Sequence, residues 1–172
     1  MKIVLIGYMA SGKSTIGKLL AKKMELSFID LDDYIEKKEE KTISEIFNKD
    51  GEIYFRKKEH LYLKELLSLE NDFVLALGGG TPCYAGNMSL IKNSIDAKSV
   101  YFKLKTPTLV NRLTKEKTKR PIVASLEDSD IPEFIAKHLF ERSFYYNQSD
   151  IVLNGDNITI EETISKIYSL LL

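Results

Sequence analysis

Lys13 and Ser14 close the run Gly7-Tyr8-Met9-Ala10-Ser11-Gly12-Lys13-Ser14, a G-x-x-x-x-G-K-S spacing whose residue types suit a polyphosphate. Two glycines let the backbone curl until successive N–H groups point inward at an anion. A lysine at the seventh position reaches the outer phosphates as a compact charge, and the serine hydroxyl can ligate magnesium. The apolar run Ile3-Val4-Leu5-Ile6 precedes the motif and a helical pattern follows it. A buried strand feeding a glycine turn that opens a helix is the context a phosphate loop requires. The chain therefore reads as a nucleoside-triphosphate binder.

Three further groups could carry chemistry. Asp30, Asp32 and Asp33 follow the apolar stretch at 27–30. Residues two apart on an extended segment share a side, so Asp30 and Asp32 are expected to face one site together. One carboxylate could serve the magnesium shell and the other accept a proton from an attacking hydroxyl. The alternative is that Asp32 or Asp33 caps the next helix. Gly78, Gly79 and Gly80 follow the apolar run Phe73–Leu77, and three glycines there imply a close approach to the backbone or unusual dihedrals. That run ends without an acid, which leaves Asp30 as the nearest candidate magnesium carboxylate. Finally, 21 of the 25 basic residues are lysines, and the arginines are Arg56, Arg112, Arg120 and Arg142. Arginine kept in a lysine-rich chain suggests planar, bidentate contacts to carboxylate or phosphate, and at least three of the four are expected to face an anion. Arg56 lies three residues before Glu59, which on a helix could orient its guanidinium.

The elements that must position these residues follow from apolar periodicity. Strands are expected at 2–6, 27–30, 73–77, 98–104 and 150–153, and helices at 13–24, 33–40, 43–49, 52–69, 87–94, 107–116, 130–146 and 158–171. This alternation predicts an α/β fold with a parallel sheet covered on both faces. Thr42 or Ser44 could start the short third helix, and Asp50-Gly51 reads as a turn into the fourth. Residues 116–129, charged at both ends with Pro121 near the centre, form a candidate lid or an ordinary surface loop.

Bulk properties narrow the function. A chain of 172 residues fits one domain. With 25 basic and 25 acidic residues, no global field favours nucleic acid or an anionic membrane. Apolar runs are too short for a membrane span, and with a strand expected from residue 2 no leader is expected. The single cysteine, Cys83, fits a reducing cytoplasm, and it reads as a small buried residue. His60 and His138 have no acid or metal-spaced partner nearby and read as structural. Asn48-Lys49-Asp50-Gly51 lacks the final aspartate and the preceding strand of a guanine-reading motif, so a GTPase switch is excluded.

Six segments in order resemble the shikimate kinase family. GYMASGKST resembles its G[FY]MGSGKST loop, with Ala10 where glycine is more usual. FIDLDDYIE resembles its D-x-D segment, ISEIFNKDGEIYFRKKE its helix pair, LGGGTPC its triple-glycine loop, KRPI its lid and ERSFYY its ERxxxY segment. The resemblance implies a three-layer α/β/α phosphate-loop kinase fold with a five-stranded parallel sheet and a lid over about 112–129. It implies substrate-binding helices over about 32–62, and ATP-dependent phosphorylation of the 3-hydroxyl of shikimate on the route to chorismate and the aromatic amino acids. Gly7, Ala10, Ser11, Gly12, Lys13, Ser14 and Thr15 would cradle ATP, with Arg112 on the adenine. Ser14 and Asp30 would serve Mg2+, and Arg120 on the lid would meet the γ-phosphate with Pro121 beside it. Asp32 would bind the substrate hydroxyls and act as base. Arg56 and Arg142 would clamp the shikimate carboxylate, Gly78, Gly79 and Gly80 would border the ring, Phe47 and Phe55 would wall it, and Glu59 would support Arg56. No partner beyond these small molecules is implied, and a monomer suffices. Rival readings are a gluconate-type kinase, a nucleoside-monophosphate kinase and a regulatory module that binds ATP without turnover.

Overall fold

A computed structural model describes residues 1–117 and 121–171. Five parallel strands, β1 Lys2–Ile6, β2 Ser27–Asp30, β3 Phe73–Ala76, β4 Ala97–Lys103 and β5 Ile151–Asn154, form one sheet in the order β2-β3-β1-β4-β5. Every residue of β1 and β3 is buried, as the unbroken apolar runs require of strands covered on both faces. Alternation along β1 divides the core. Ile3 and Leu5 pack with Ile16, Leu20, Ile164 and Ile167 on one face. Val4 and Ile6 pack with Leu31, Leu63, Leu66 and Ile135 on the other.

The helices between the strands are α1 Lys13–Lys23, α2 Leu31–Glu39, α3 Ile43–Lys49, α4 Glu52–Ser68, α5 Asn87–Lys92, α6 Thr106–Lys115, α7 Pro121–Ala124 and α8 Ile131–Tyr146, and α9 Ile160–Leu171 follows β5. Helices cover both faces of the sheet, which makes the fold the expected three-layer α/β/α. Thr42 starts α3 through a capping box with Glu45, and Gly51, at φ 86°, makes the turn into α4. Expected boundaries fall within two residues of those observed.

One boundary carries a correction. The helix expected from 33 starts at Leu31, and its cap is Asp30, whose carboxylate accepts from the Asp32 N–H. Neither Asp32 nor Asp33 is the cap, and Asp32 sits in the first turn rather than on an extended segment. Asp30 and Asp32 are brought together by capping geometry, not by strand alternation. Within the stretch expected to be irregular, Pro121–Ala124 forms a single helical turn. Arg120 and the side chain of Pro121 lie outside the described residues. Among the described residues no helix is long and apolar enough to cross a membrane.

The strand order reverses direction at β1: the chain runs outward to β2, returns to β3, then crosses to β4 and β5. The phosphate-loop motif leaves the carboxyl end of β1, at this switch point, where open α/β sheets bind ligands.

Candidate active site

A cleft of about 860 Å³ opens over the carboxyl ends of the strands. Ala10, Ser11, Gly12, Lys13, Ser14 and Thr15 line it from the turn between β1 and α1. Gly12, at φ 94°, caps α1 without a side-chain hydrogen bond, so the helix N-terminus presents its backbone donors to the cleft. Ala10 holds φ 60°, a left-handed conformation that glycine adopts at less cost. Gly7 does not line the cleft; it lies beneath, where a Cβ would come within 2.9 Å of Ser11 Oγ and 3.0 Å of the Phe102 carbonyl. The Lys13 ammonium donates to the carbonyls of Gly7 and Tyr8 at 2.8 and 2.9 Å. Arg112, from α6, donates to the carbonyls of Ala10 and Ser11 at 3.1 and 3.2 Å.

The Ser14 hydroxyl donates to Asp30 at 2.9 Å. These hard oxygen groups suit a magnesium ion that keeps several waters and takes its other ligands from phosphates. No cluster of three or more histidine, cysteine, aspartate or glutamate side chains suited to a metal occurs among the described residues. Next to Asp30, burial and then the carboxylates of Asp30 and Glu59 push Asp32 up to about 7, against the opposing pull of Lys13 and Arg56.

Asp32, Arg56, Glu59, Gly78, Gly79, Gly80 and Arg142 line the far side of the cleft. Arg56 donates to Glu59 at 2.9 Å, and Glu59, almost fully buried, also accepts from the Thr81 hydroxyl at 2.6 Å. The triple glycine is explained by side chains of the chain itself. A Cβ on Gly78 would lie 3.2 Å from the Asp32 carboxylate, one on Gly79 would lie 3.2 Å from Arg142, and one on Gly80 would lie 2.8 Å from Arg56. Each glycine leaves room for one charged group at the cleft. Arg142 lies over the Tyr8 ring at 5.6 Å, and Tyr146, one turn later on α8, donates to the Gly79 carbonyl. Phe47 and Phe55 pair at 4.7 Å between ring centres on the cleft wall.

Sequence reasoning missed several residues. Gly155 and Ile158 from the turn between β5 and α9, and Ile160 and Thr163 from the first turn of α9, line the cleft, and no local motif marks them. Thr81 and Tyr84 stand in the GGGTPCY run and contact Glu59 and Arg56. Cys83 is half-buried, and burial pushes its thiol up to about 11, so it stays protonated. His60 meets the Asn87 side chain at 2.7 Å and His138 meets the Tyr8 hydroxyl at 3.0 Å, so both are tied into packing.

The family model described as shikimate kinase matches residues 9–172. A shikimate kinase of Flavobacterium johnsoniae is 50% identical over 170 residues, covering 99% of this chain and 98% of that protein. The 1.7 Å crystal structure of shikimate kinase from Bacteroides thetaiotaomicron superposes with a TM-score of 0.91 at 36% identity, covering 99% of this chain and 98% of that one. A shikimate kinase from Acinetobacter baumannii in complex with shikimate gives a TM-score of 0.86 at 30% identity, covering 99% and 92%. The chain belongs to the shikimate kinase family, and its activity is the ATP-dependent phosphorylation of shikimate.

Proposed function

We propose that the residues lining the cleft divide the reaction between a nucleotide half and an acceptor half, with Asp32 at their junction. The observation that carries this reading is the convergence of Lys13, Asp30, Asp32, Arg56 and Arg142 on a single cleft. On the nucleotide side, the backbone from Ala10 to Thr15 cradles the phosphates and Arg112 covers the base. Lys13 exchanges its loop carbonyls for phosphate oxygens, with Arg120 joining from the lid. Ser14 and Asp30 hold Mg2+, which supplies charge neutralisation on the transferring phosphate. On the acceptor side, Arg56 and Arg142 grip the shikimate carboxylate, and Phe47 and Phe55 wall the ring. The Gly78–Gly80 backbone borders the hydroxyls, Pro121 comes in beside the lid arginine, and Glu59 braces Arg56.

The 3-hydroxyl oxygen forms a bond to the γ-phosphorus as the bond from phosphorus to the bridging oxygen of ADP breaks. The hydroxyl proton passes to Asp32. A carboxylate raised to about 7 suits that task, because a base whose pKa lies near working pH combines availability with proton affinity. Positioning and charge neutralisation supply most of the acceleration in phosphoryl transfer. We also propose that the chain works as one domain with the lid over about 112–129 and acceptor helices over about 32–62. A cytoplasmic location is supported by its single cysteine.

The test is a coupled ADP-release assay with shikimate on Asp32→Asn. Turnover should drop by about 100-fold or more, as loss of a general base does, while ATP binding persists. Turnover close to wild type would remove Asp32 as the base.

A further inference from the structure

Arg56 is the acceptor-side arginine held by the most contacts, and one of them lies outside the cleft. Its guanidinium carbon stands 4.0 Å from the centre of the Tyr84 ring, a stacking distance at which an arginine gains from the ring's electron-rich face. The other contacts act at the edges. Glu59 accepts from one terminal nitrogen at 2.9 Å, and Glu52 approaches Nε at 3.6 Å. The Gly80 backbone leaves room for the second terminal nitrogen. Edge contacts fix where the guanidinium sits, but its plane can still tilt unless a face is covered. Phe55, at 5.2 Å, is a more distant neighbour than Tyr84.

The loop carrying Tyr84 is built to hold that ring in place. The Tyr84 N–H donates to the Thr81 carbonyl and its own carbonyl accepts from the Asn87 N–H at 2.9 Å. Asn87, fully buried, donates its side-chain amide back to the Thr81 carbonyl at 2.8 Å. Two successive left-handed residues follow, Ala85 at φ 51° and Gly86 at φ 70°. A non-glycine residue in that region is strained and persists only where its surroundings enforce it. Tyr84 itself is 39% exposed and does not line the cleft, so the ring adds little to the core and stands outside the space open to the acceptor.

We propose that Tyr84 is a positioning residue for the phosphorylation reaction: its ring fixes the plane of the Arg56 guanidinium so that the arginine meets a planar carboxylate in bidentate register. This rests on the reading of Arg56 as part of the carboxylate clamp. Tyr84 acts entirely through Arg56, so its effect belongs to acceptor binding and not to the nucleotide.

The experiment compares Tyr84→Leu, Tyr84→Phe, Arg56→Ala and the double variant Tyr84→Leu/Arg56→Ala in steady-state kinetics with both substrates varied. Tyr84→Leu should raise the KM for shikimate by about threefold to tenfold, the range a partly desolvated cation–π contact supports, with the KM for ATP and kcat within about twofold of wild type. Tyr84→Phe keeps the ring and should restore most of the affinity. In the Arg56→Ala background, removing the ring should add nothing further. A wild-type shikimate KM in Tyr84→Leu, with Arg56→Ala impaired, would overturn the stacking role and leave the clamp standing. A wild-type shikimate KM in Arg56→Ala would overturn the clamp itself, and the proposal with it. Equal rises in both KM values, or Tyr84→Phe as impaired as Tyr84→Leu, would also overturn the proposal, pointing to loosening of the loop or to the hydroxyl.

Discussion

Asp32 lies where Asp30, Glu59 and the edge of the core crowd one carboxyl group, and its protonation should be visible in both kinetics and stability. If the ionised form is the base, kcat/KM for shikimate should rise with pH and level off above a midpoint near 7, since that constant reports the unbound enzyme. Asp32→Asn should remove the midpoint from its residual activity. The stability effect has the opposite sense. The pKa is raised in the folded state, so folding is favoured while Asp32 is protonated and loses that help as pH rises from about 4 to about 7. Wild type should therefore lose up to about 3 kcal/mol across this window relative to Asp32→Asn, measurable by urea unfolding at each pH. A pH-independent difference between the two would contradict the burial of this charge. The lysine and serine of the phosphate loop were legible in the sequence because their chemistry depends on neighbours in the chain. Thr81 and Tyr84 were not, because their contacts are with Glu59 and Arg56, which are distant in sequence. The capping role of Asp30 is not legible, because the same residues read equally well as an extended segment, whereas the helix begins at Leu31.

At the scale of elements, the acceptor side proposed above requires α2 and α4 to keep a fixed relation, because Asp32 belongs to one and Arg56 to the other. Two carboxylates join them. Glu39, at the end of α2, accepts from the Tyr54 and Tyr62 hydroxyls and pairs with Lys58 at 3.0 Å, all three from α4. Burial alone would raise Glu39, but these contacts outweigh it and bring the group down to about 2. Glu65 of α4 in turn accepts from Tyr34 and Lys38 of α2 at 2.8 and 2.9 Å. Glu39→Ala would leave two tyrosine hydroxyls and a lysine without their shared acceptor. It should lower stability by about 1–3 kcal/mol at neutral pH, and raise the KM for shikimate more than that for ATP. Thermal unfolding and two-substrate kinetics together check this; an unchanged melting temperature would show that the contacts are not formed in solution. The helices themselves were legible, since apolar periodicity and the Thr42 capping box act locally. Their mutual bracing was not, because nothing in the spacing of Glu39, Tyr54 and Tyr62 marks them as partners.

For the molecule as a whole, the alternation of strands and helices made the layered fold legible, and the glycine turn after the first strand identified the ligand-binding rim. The order β2-β3-β1-β4-β5 needs long-range pairing that local pattern does not encode, and it is what brings α2, α4, α6 and α8 around one cleft. Because the cleft joins elements from across the chain, ligands should stabilise the entire fold. A ligand at about 100 times its dissociation constant adds about 2.7 kcal/mol, which for a chain of this size corresponds to a rise of roughly 5–10 °C in melting temperature. Shikimate and magnesium-ATP should each produce such a rise. The acceptor's contribution is expected to depend on Arg142, whose loss leaves a carboxylate facing the cleft without one of its two cations. Removing a buried charge partner costs about 2–4 kcal/mol of binding. Arg142→Ala, measured against its own ligand-free melting temperature, should therefore lose most of the shikimate shift and keep most of the ATP shift. Loss of both shifts in equal measure would make Arg142 a support of the fold, through its contacts with Tyr8 and the Gly79 turn, rather than a grip on the acceptor.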